Sequence, residues 1–391
     1  MSKVIHILHS GIGGQGGVVL PLIREGAADI SQSVAFYGVQ DLAPEYAEQC
    51  EELGVPYRYF KKERGLSLGS QRAMAEWMAV QFPRTVVAHS PAALYACRRL
   101  AASGHPRAKV VAVEHHSNAL KGAQEWLLSA LALQFADRIV YLSDAYRDTV
   151  ARTLTRLVFR EAKTAVIPNG LDLSAYPPEG SIRRRERDGL IIGMQGRMAP
   201  GKDYASLLRA FQLVKAAVAA ECPGLALELA GDGIDRPYLE SMSRALGISG
   251  SVRFLGMLSR PALIERMQAW NLFALSTAGE TMSMAVMEAM ASRLPVVASN
   301  VPGVRELLHD GHTGTLVPPA DPGRLAEALV DLVRNPARRH ALGSAARQFA
   351  EKRFSLQRCW RQYRELFAEL ADDAAVPIRS TAIAASPGPA S

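Results

Sequence analysis

Cysteine is scarce in this chain. Four of 391 residues (Cys50, Cys97, Cys222, Cys359) are far apart and form no C-x-x-C pair. That excludes a disulfide-stapled scaffold and a thiolate metal site, and it points to a reducing cytoplasm. No apolar run approaches the roughly 20 residues of a membrane span. The opening MSKVIHILHS enters a strand at once, without the segments of a secretory leader. Zinc-finger, RNP and helix-turn-helix patterns are missing, so nucleic acid is not an expected partner for the net charge of +7. That charge suits an anionic ligand or an anionic membrane face. No Asp-x-Asp pair is present to clamp a metal.

The chain has 48% hydrophobic and 21% charged residues, ordinary for a folded globular protein. Its length predicts two or three domains. Short apolar runs at 3–9, 34–39, 85–89, 109–114, 138–142 and 164–167 alternate with helical patterns at 18–29, 43–53, 68–82, 91–103, 121–136 and 144–157. Such alternation predicts a mostly parallel, doubly wound sheet. A polar, aperiodic stretch through 176–188 breaks the pattern, and a second series starts at Leu190. Its strands recur at 226–230, 252–255, 271–275 and 295–298, and surface helices follow at 325–334, 336–353 and 355–370. After Asp373 the Ala-, Pro- and Ser-rich tail reads as disordered.

The most informative stretch is FALSTAGETMSMAVMEAMASRLPVVA at 273–298, which reads as strand, polar loop, helix and strand. Ser283 is a candidate N-cap, Glu280 precedes the helix and Glu288 lies within it. Two carboxylates beside a helix N-terminus with free N–H groups suit a ligand carrying hydroxyls and phosphates. Arg197 and Lys202 bracket a Pro-Gly turn before another helix, so both cations can converge on a diphosphate. In the first half GIGGQGG at 11–17 is either a ligand loop or a tight turn. His115 and His116 end a strand, where a histidine is either a local hydrogen-bonding residue or a ligand contact. The basic and aromatic run 57–64 is either a strand entering a charged loop or a membrane-interface patch.

Taken together, Glu280-x7-Glu288 within GETMSMAVMEAMASRLPVVAS, GMQGRMAPGKDY, IPNGLD, AGDG and VRFLG resemble the family 4 glycosyltransferases. The resemblance covers nearly the whole chain and implies the GT-B fold, two Rossmann-like domains facing across a cleft. It places an acceptor-side domain at 1–178, a linker at 179–188, a nucleotide-sugar-binding domain at 189–355, a helix at 356–371 crossing back, and a tail at 372–391. It implies a retaining, metal-independent transferase using a UDP- or GDP-sugar, with no other cofactor and a glycan or lipid-linked acceptor. Location would be cytoplasmic, with peripheral contact at the inner membrane face. By the same resemblance Arg197 and Lys202 grip the diphosphate, Glu288 holds the ribose, and backbone near Phe254 meets the base. Glu280, with the Thr281, Met282 and Ser283 amides, lies at the sugar. His115, with His116 its close competitor, approaches from the first domain, and Gly13, Gly14 and Gly16 close over the phosphate or acceptor. Where many members carry Gly-Phe-Pro after the first glutamate, this chain has Thr281-Met282-Ser283.

Overall fold

A computed structural model describes residues 3–11, 13–63, 65, 67–102, 108–154, 159–178 and 189–372. The expected linker 179–188 and the tail beyond 372 lie outside the described residues. Seven strands form the first sheet: β1 (Lys3–Leu8), β2 (Ser31–Gly38), β3 (Tyr57–Lys61), β4 (Thr85–Ala88), β5 (Lys109–Val113), β6 (Arg138–Tyr141) and β7 (Thr164–Val166). Six form the second: β8 (Ile191–Gln195), β9 (Ala226–Ala230), β10 (Val252–Gly256), β11 (Leu272–Leu275), β12 (Val296–Ser299) and β13 (Thr315–Val317). Every pairing between these strands is parallel.

The spatial orders are β3-β2-β1-β4-β5-β6-β7 and β10-β9-β8-β11-β12-β13. Each sheet therefore grows outward from its first strand and then reverses, which opens a crevice beyond the carboxyl ends of β1 and β4, and of β8 and β11. Helices cover both faces, so the central strands carry unbroken apolar runs; Phe273, Ala274 and Leu275 of β11 have no exposed surface. This is the two-domain α/β architecture expected from the alternation.

Several boundaries differ for physical reasons. The second strand starts at Ser31, not Val34, because Gln32 and Ser33 are buried with their side chains hydrogen-bonded, to His6 and Ile23 and to Gln81. The segment at 57–61 is the edge strand β3. Three half-buried or buried residues, Thr315 to Val317, make β13, too short to register as a pattern.

The last helix, Leu356–Asp372, leaves the second sheet and packs on the first helix of the first domain, Gly14–Glu25. Trp360 donates its indole N–H to Asp29 at 2.8 Å. Leu171 pairs with this crossing point: its N–H meets the Phe354 carbonyl at 2.8 Å, and its carbonyl accepts from Leu356 at 3.1 Å. Leu356, Cys359, Trp360 and Tyr363 thereby share one apolar core with Leu22 and Leu171.

Candidate active site

The second sheet supplies charge. β8 ends at Gln195, with Gly196 and Arg197 following it, and each of these consecutive residues meets a different part of the cluster. Gln195 donates its amide to Glu288 Oε2, while Arg260 Nη1 reaches Glu288 Oε1 at 3.0 Å. Gly196 lies under the stem of Lys202, since a Cβ there would stand 3.3 Å from Lys202 Cε. Arg197 extends toward Gly13 of the first domain, its Nη2 being 3.8 Å from where a Gly13 Cβ would lie. Lys202 forms an ion pair with Glu280, whose Oε1 also accepts from Thr277 Oγ1 at 3.2 Å. A carboxylate has about four lone-pair sites, so both glutamates keep acceptor capacity for ligand hydroxyls. The helix Met284–Ala291 points its N-terminus at this loop.

The first sheet supplies neutral rings. His6 on β1, His89 after β4 and His115 after β5 are joined ring to ring, at 3.2 Å and 3.1 Å. Burial holds His6 and His115 down to about 4, and it holds His89 well below its ordinary value, helped by the two flanking rings. Thr281 donates its hydroxyl to the His115 carbonyl at 2.8 Å, and Ser117 Oγ reaches the Glu280 carbonyl at 3.4 Å. The strand ends of the two sheets therefore meet at Glu280 and Thr281. Between them lies a cavity of about 420 Å³, with His115, His116, Lys121, Glu125, Asn169 and Thr281 among its walls. The side chain of Lys121 is 1% exposed and bonds Glu114 Oε2 and Ser129 Oγ, each at 2.8 Å, so it shapes this wall as a neutralised pair.

The structure thus pairs Lys202 with Glu280, sets Thr281 of the same loop against His115, and holds Glu288 with Gln195 and Arg260 beside the end of β8, while Arg197 lines a second cavity with Gly13 and Gly14. It also separates the two histidines: His115 carries the ring chain and abuts Thr281, whereas His116 is exposed. Other candidates are placed differently. The Ser283 hydroxyl is buried without a partner instead of capping its helix, and its N–H is taken by the Gly303 carbonyl at 3.3 Å. A Cβ at Gly303 would stand 2.4 Å from the Glu280 carbonyl, so this glycine lets the glutamate loop close. Met282 turns its sulfur to the Asn169 N–H at 3.2 Å. Phe254 sits on the edge strand β10, two strands out from β8.

Of the glycine loop, Gly14 faces open space beside both cleft cavities. Gly13 exchanges hydrogen bonds with the Tyr46 hydroxyl, donating its N–H and accepting at its carbonyl, both at 2.9 Å. Gly16 packs under Tyr46, where a Cβ would fall 2.1 Å from Cζ. Tyr46 thus packs against both Gly13, which precedes the helix Gly14–Glu25, and Gly16 inside it. Arg260 and Tyr176 escape sequence reading: Arg260 also reaches the buried Tyr176 hydroxyl at 3.4 Å. That hydroxyl is held above its ordinary value by burial and then by the Glu288 charge.

Two reversing parallel sheets with charged and polar groups at their facing strand ends define a GT-B protein. Solved structures share this architecture. Anabaena HepE in complex with UDP-glucose superposes with a TM-score of 0.80 at 20% identity, over 94% of this chain and all of that one. Sucrose-phosphate synthase from Thermosynechococcus elongatus gives 0.77 at 19%, over 95% of this chain and all of its own. The model "Glycosyltransferase Family 4" matches residues 12–175 and "Glycosyl transferases group 1" matches 181–349. The chain belongs to this glycosyltransferase family. Among curated relatives, an exopolysaccharide phosphotransferase of Streptomyces coelicolor is 31% identical over 73% of this chain and 28% of its own. A D-inositol 3-phosphate glycosyltransferase of Mycolicibacterium paratuberculosis is 34% identical over 52% of this chain and 46% of its own. The matches thus span less than half the length of these two relatives.

Proposed function

We propose that the protein is a retaining transferase that moves a sugar from a UDP- or GDP-sugar to a glycan or lipid-linked acceptor, in cell-surface polysaccharide or glycoconjugate synthesis. The observation that supports this reading is that the loop carrying Glu280, paired with Lys202, meets His115 of the first domain through Thr281. As the bond from the anomeric carbon to the phosphate oxygen breaks, negative charge grows on the diphosphate. Arg197, Lys202 and the N-terminus of Met284–Ala291 stabilise that charge without a metal. Arg197 has no carboxylate partner among the described residues and is ready for a phosphate. Lys202 exchanges Glu280 for the diphosphate, or bridges the two. Glu288 accepts from the ribose hydroxyls beside Gln195 and Arg260, and Glu280 positions the sugar.

The acceptor hydroxyl attacks from the side the nucleotide leaves, and its proton passes to the departing phosphate oxygen. The cavity walled by His116, Lys121 and Glu125 is where the acceptor enters. UDP is the nucleotide to test first, because the structural neighbour HepE was solved with UDP-glucose. Contact with an anionic membrane would rest on Arg58 and on Lys61, which pairs with Asp41, since Phe60 of the same strand is core and Lys62 lines a cavity, and Arg64 lies outside the described residues. Among the described residues no helix is long and apolar enough to cross a membrane.

A panel of radiolabelled UDP- and GDP-sugars tests the proposal. Acceptor-dependent release of the nucleotide is the expected result. Interconversion of free donor, as in an epimerase, or binding without turnover would contradict it.

A further inference from the structure

We propose that Gln32 is a positioning residue that sets, through His6 and His89, which nitrogen of His115 carries the proton. The inference rests on the reading of His115 as a sugar contact. The chain begins at a fixed amide: Gln32 Nε2 donates to the Ile23 carbonyl at 2.9 Å, so its Oε1 must be the atom facing His6 Nε2 at 3.1 Å. Turning the amide over would set two oxygens against each other. His6 Nε2 therefore carries hydrogen, and in a neutral ring its Nδ1 is bare. His89 Nε2 must then donate to His6 Nδ1 across 3.2 Å, which leaves His89 Nδ1 to accept from His115 Nε2 across 3.1 Å. With three neutral rings the polarity has one solution: hydrogen on every Nε2.

The consequence falls at the cleft. His115 has a bare Nδ1, which can accept a hydrogen bond and cannot donate one. It selects a sugar hydroxyl and disfavours a carboxylate or phosphate oxygen at that position, and it cannot act as a general acid. A lone histidine at this site would exchange tautomers freely; here a buried glutamine on a neighbouring strand removes that freedom. His6, Gln32 and His89 are 1%, 6% and 2% exposed, so water does not compete for these hydrogen bonds.

Ring nitrogen-15 spectra of histidine-labelled protein test this directly, with calorimetry against UDP and UDP-glucose. In the parent, His6, His89 and His115 are expected as Nε2–H tautomers. In Gln32→Met, which keeps the side-chain length without an acceptor, His115 should gain an Nδ1–H population. Affinity for UDP-glucose should fall by about tenfold, the worth of one hydrogen bond, with UDP affinity unchanged. Gln32→Glu, studied at a pH where its carboxyl is protonated and can donate to the Ile23 carbonyl while accepting from His6, should recover the Nε2–H form. A parent His115 protonated at Nδ1, or a Gln32→Met protein with unaltered ring tautomers, overturns the proposal. If Gln32→Met does not fold, the parent spectrum alone decides. A parent that binds neither probe yet shows the three Nε2–H rings would sink the nucleotide-sugar reading while leaving the ring polarity established.

Discussion

The two domains share one strand order over six strands, with β7 added in the first, yet they arm their strand ends differently. In the second domain the two glutamates of the 273–298 stretch each face a part-exposed cation: Lys202 on Glu280, Arg260 on Glu288. In the first domain the corresponding edge carries buried rings held neutral, and the buried ion pair of Lys121 with Glu114 is closed on itself. Exchangeable charge suits a diphosphate, whose negative charge grows during reaction. Fixed hydrogen-bond polarity suits a sugar, which differs from its competitors by the placement of hydroxyls. The fold is repeated and the electrostatics are not.

Breaking the charged side should have the largest effect. Lys202→Met removes the proposed phosphate contact and strands Glu280, and turnover should fall by about 10²–10³ in steady-state assays with the identified donor. A smaller loss than tenfold would move the charge stabilisation elsewhere. The neutral side should respond to acid instead. Because burial lowers His6 from 6.5 to about 4, the unfolded chain binds its proton first. Stability therefore falls as pH drops from about 6.5 toward about 4 and levels below that, by roughly 3 kcal/mol from His6 alone. Urea denaturation across this window should show a slope that His6→Met reduces; an identical slope in both proteins would deny the ring its burden.

Glu288→Ala should weaken UDP by about 10–100-fold, with a loss of fold stability that is smaller in free energy. Equal UDP affinity by calorimetry would release Glu288 from the nucleotide. Finally, Gly16→Ala should destabilise the first domain by about 1–3 kcal/mol through its clash with Tyr46. Nucleotide affinity should stay level, whereas Gly14→Ala, facing open space, should fold normally.

How far these features were legible in the sequence follows the same division. In the second domain the chemical groups sit within a few residues of glycine-punctuated strand ends, so Arg197, Lys202, Glu280 and Glu288 stand out along the chain. Arg260 did not, because it opens a separate helix and reaches Glu288 only through the fold. In the first domain VIHIL reads as an apolar strand, and nothing local says that His6 inside it meets His89, 83 positions away. Gln32 hid for a related reason: a polar residue ahead of an apolar run looks like a loop until its partners are known. Gly16 carried a constraint that the chain does not announce, since a Cβ there would meet the Tyr46 ring. Alternation of strands and helices was enough for the fold class, because it depends on local pattern. Side-chain pairing across the sheet depends on strand order, which local pattern does not encode.

A structure of the protein with UDP-glucose bound tests the shared cleft most directly. The diphosphate should lie between Arg197, Lys202 and the N-terminus of Met284–Ala291, with the ribose at Glu288 and a sugar hydroxyl donating to His115 Nδ1. A nucleotide seated away from Arg197 and Lys202, or a sugar that leaves Glu280 and His115 untouched, would contradict the account.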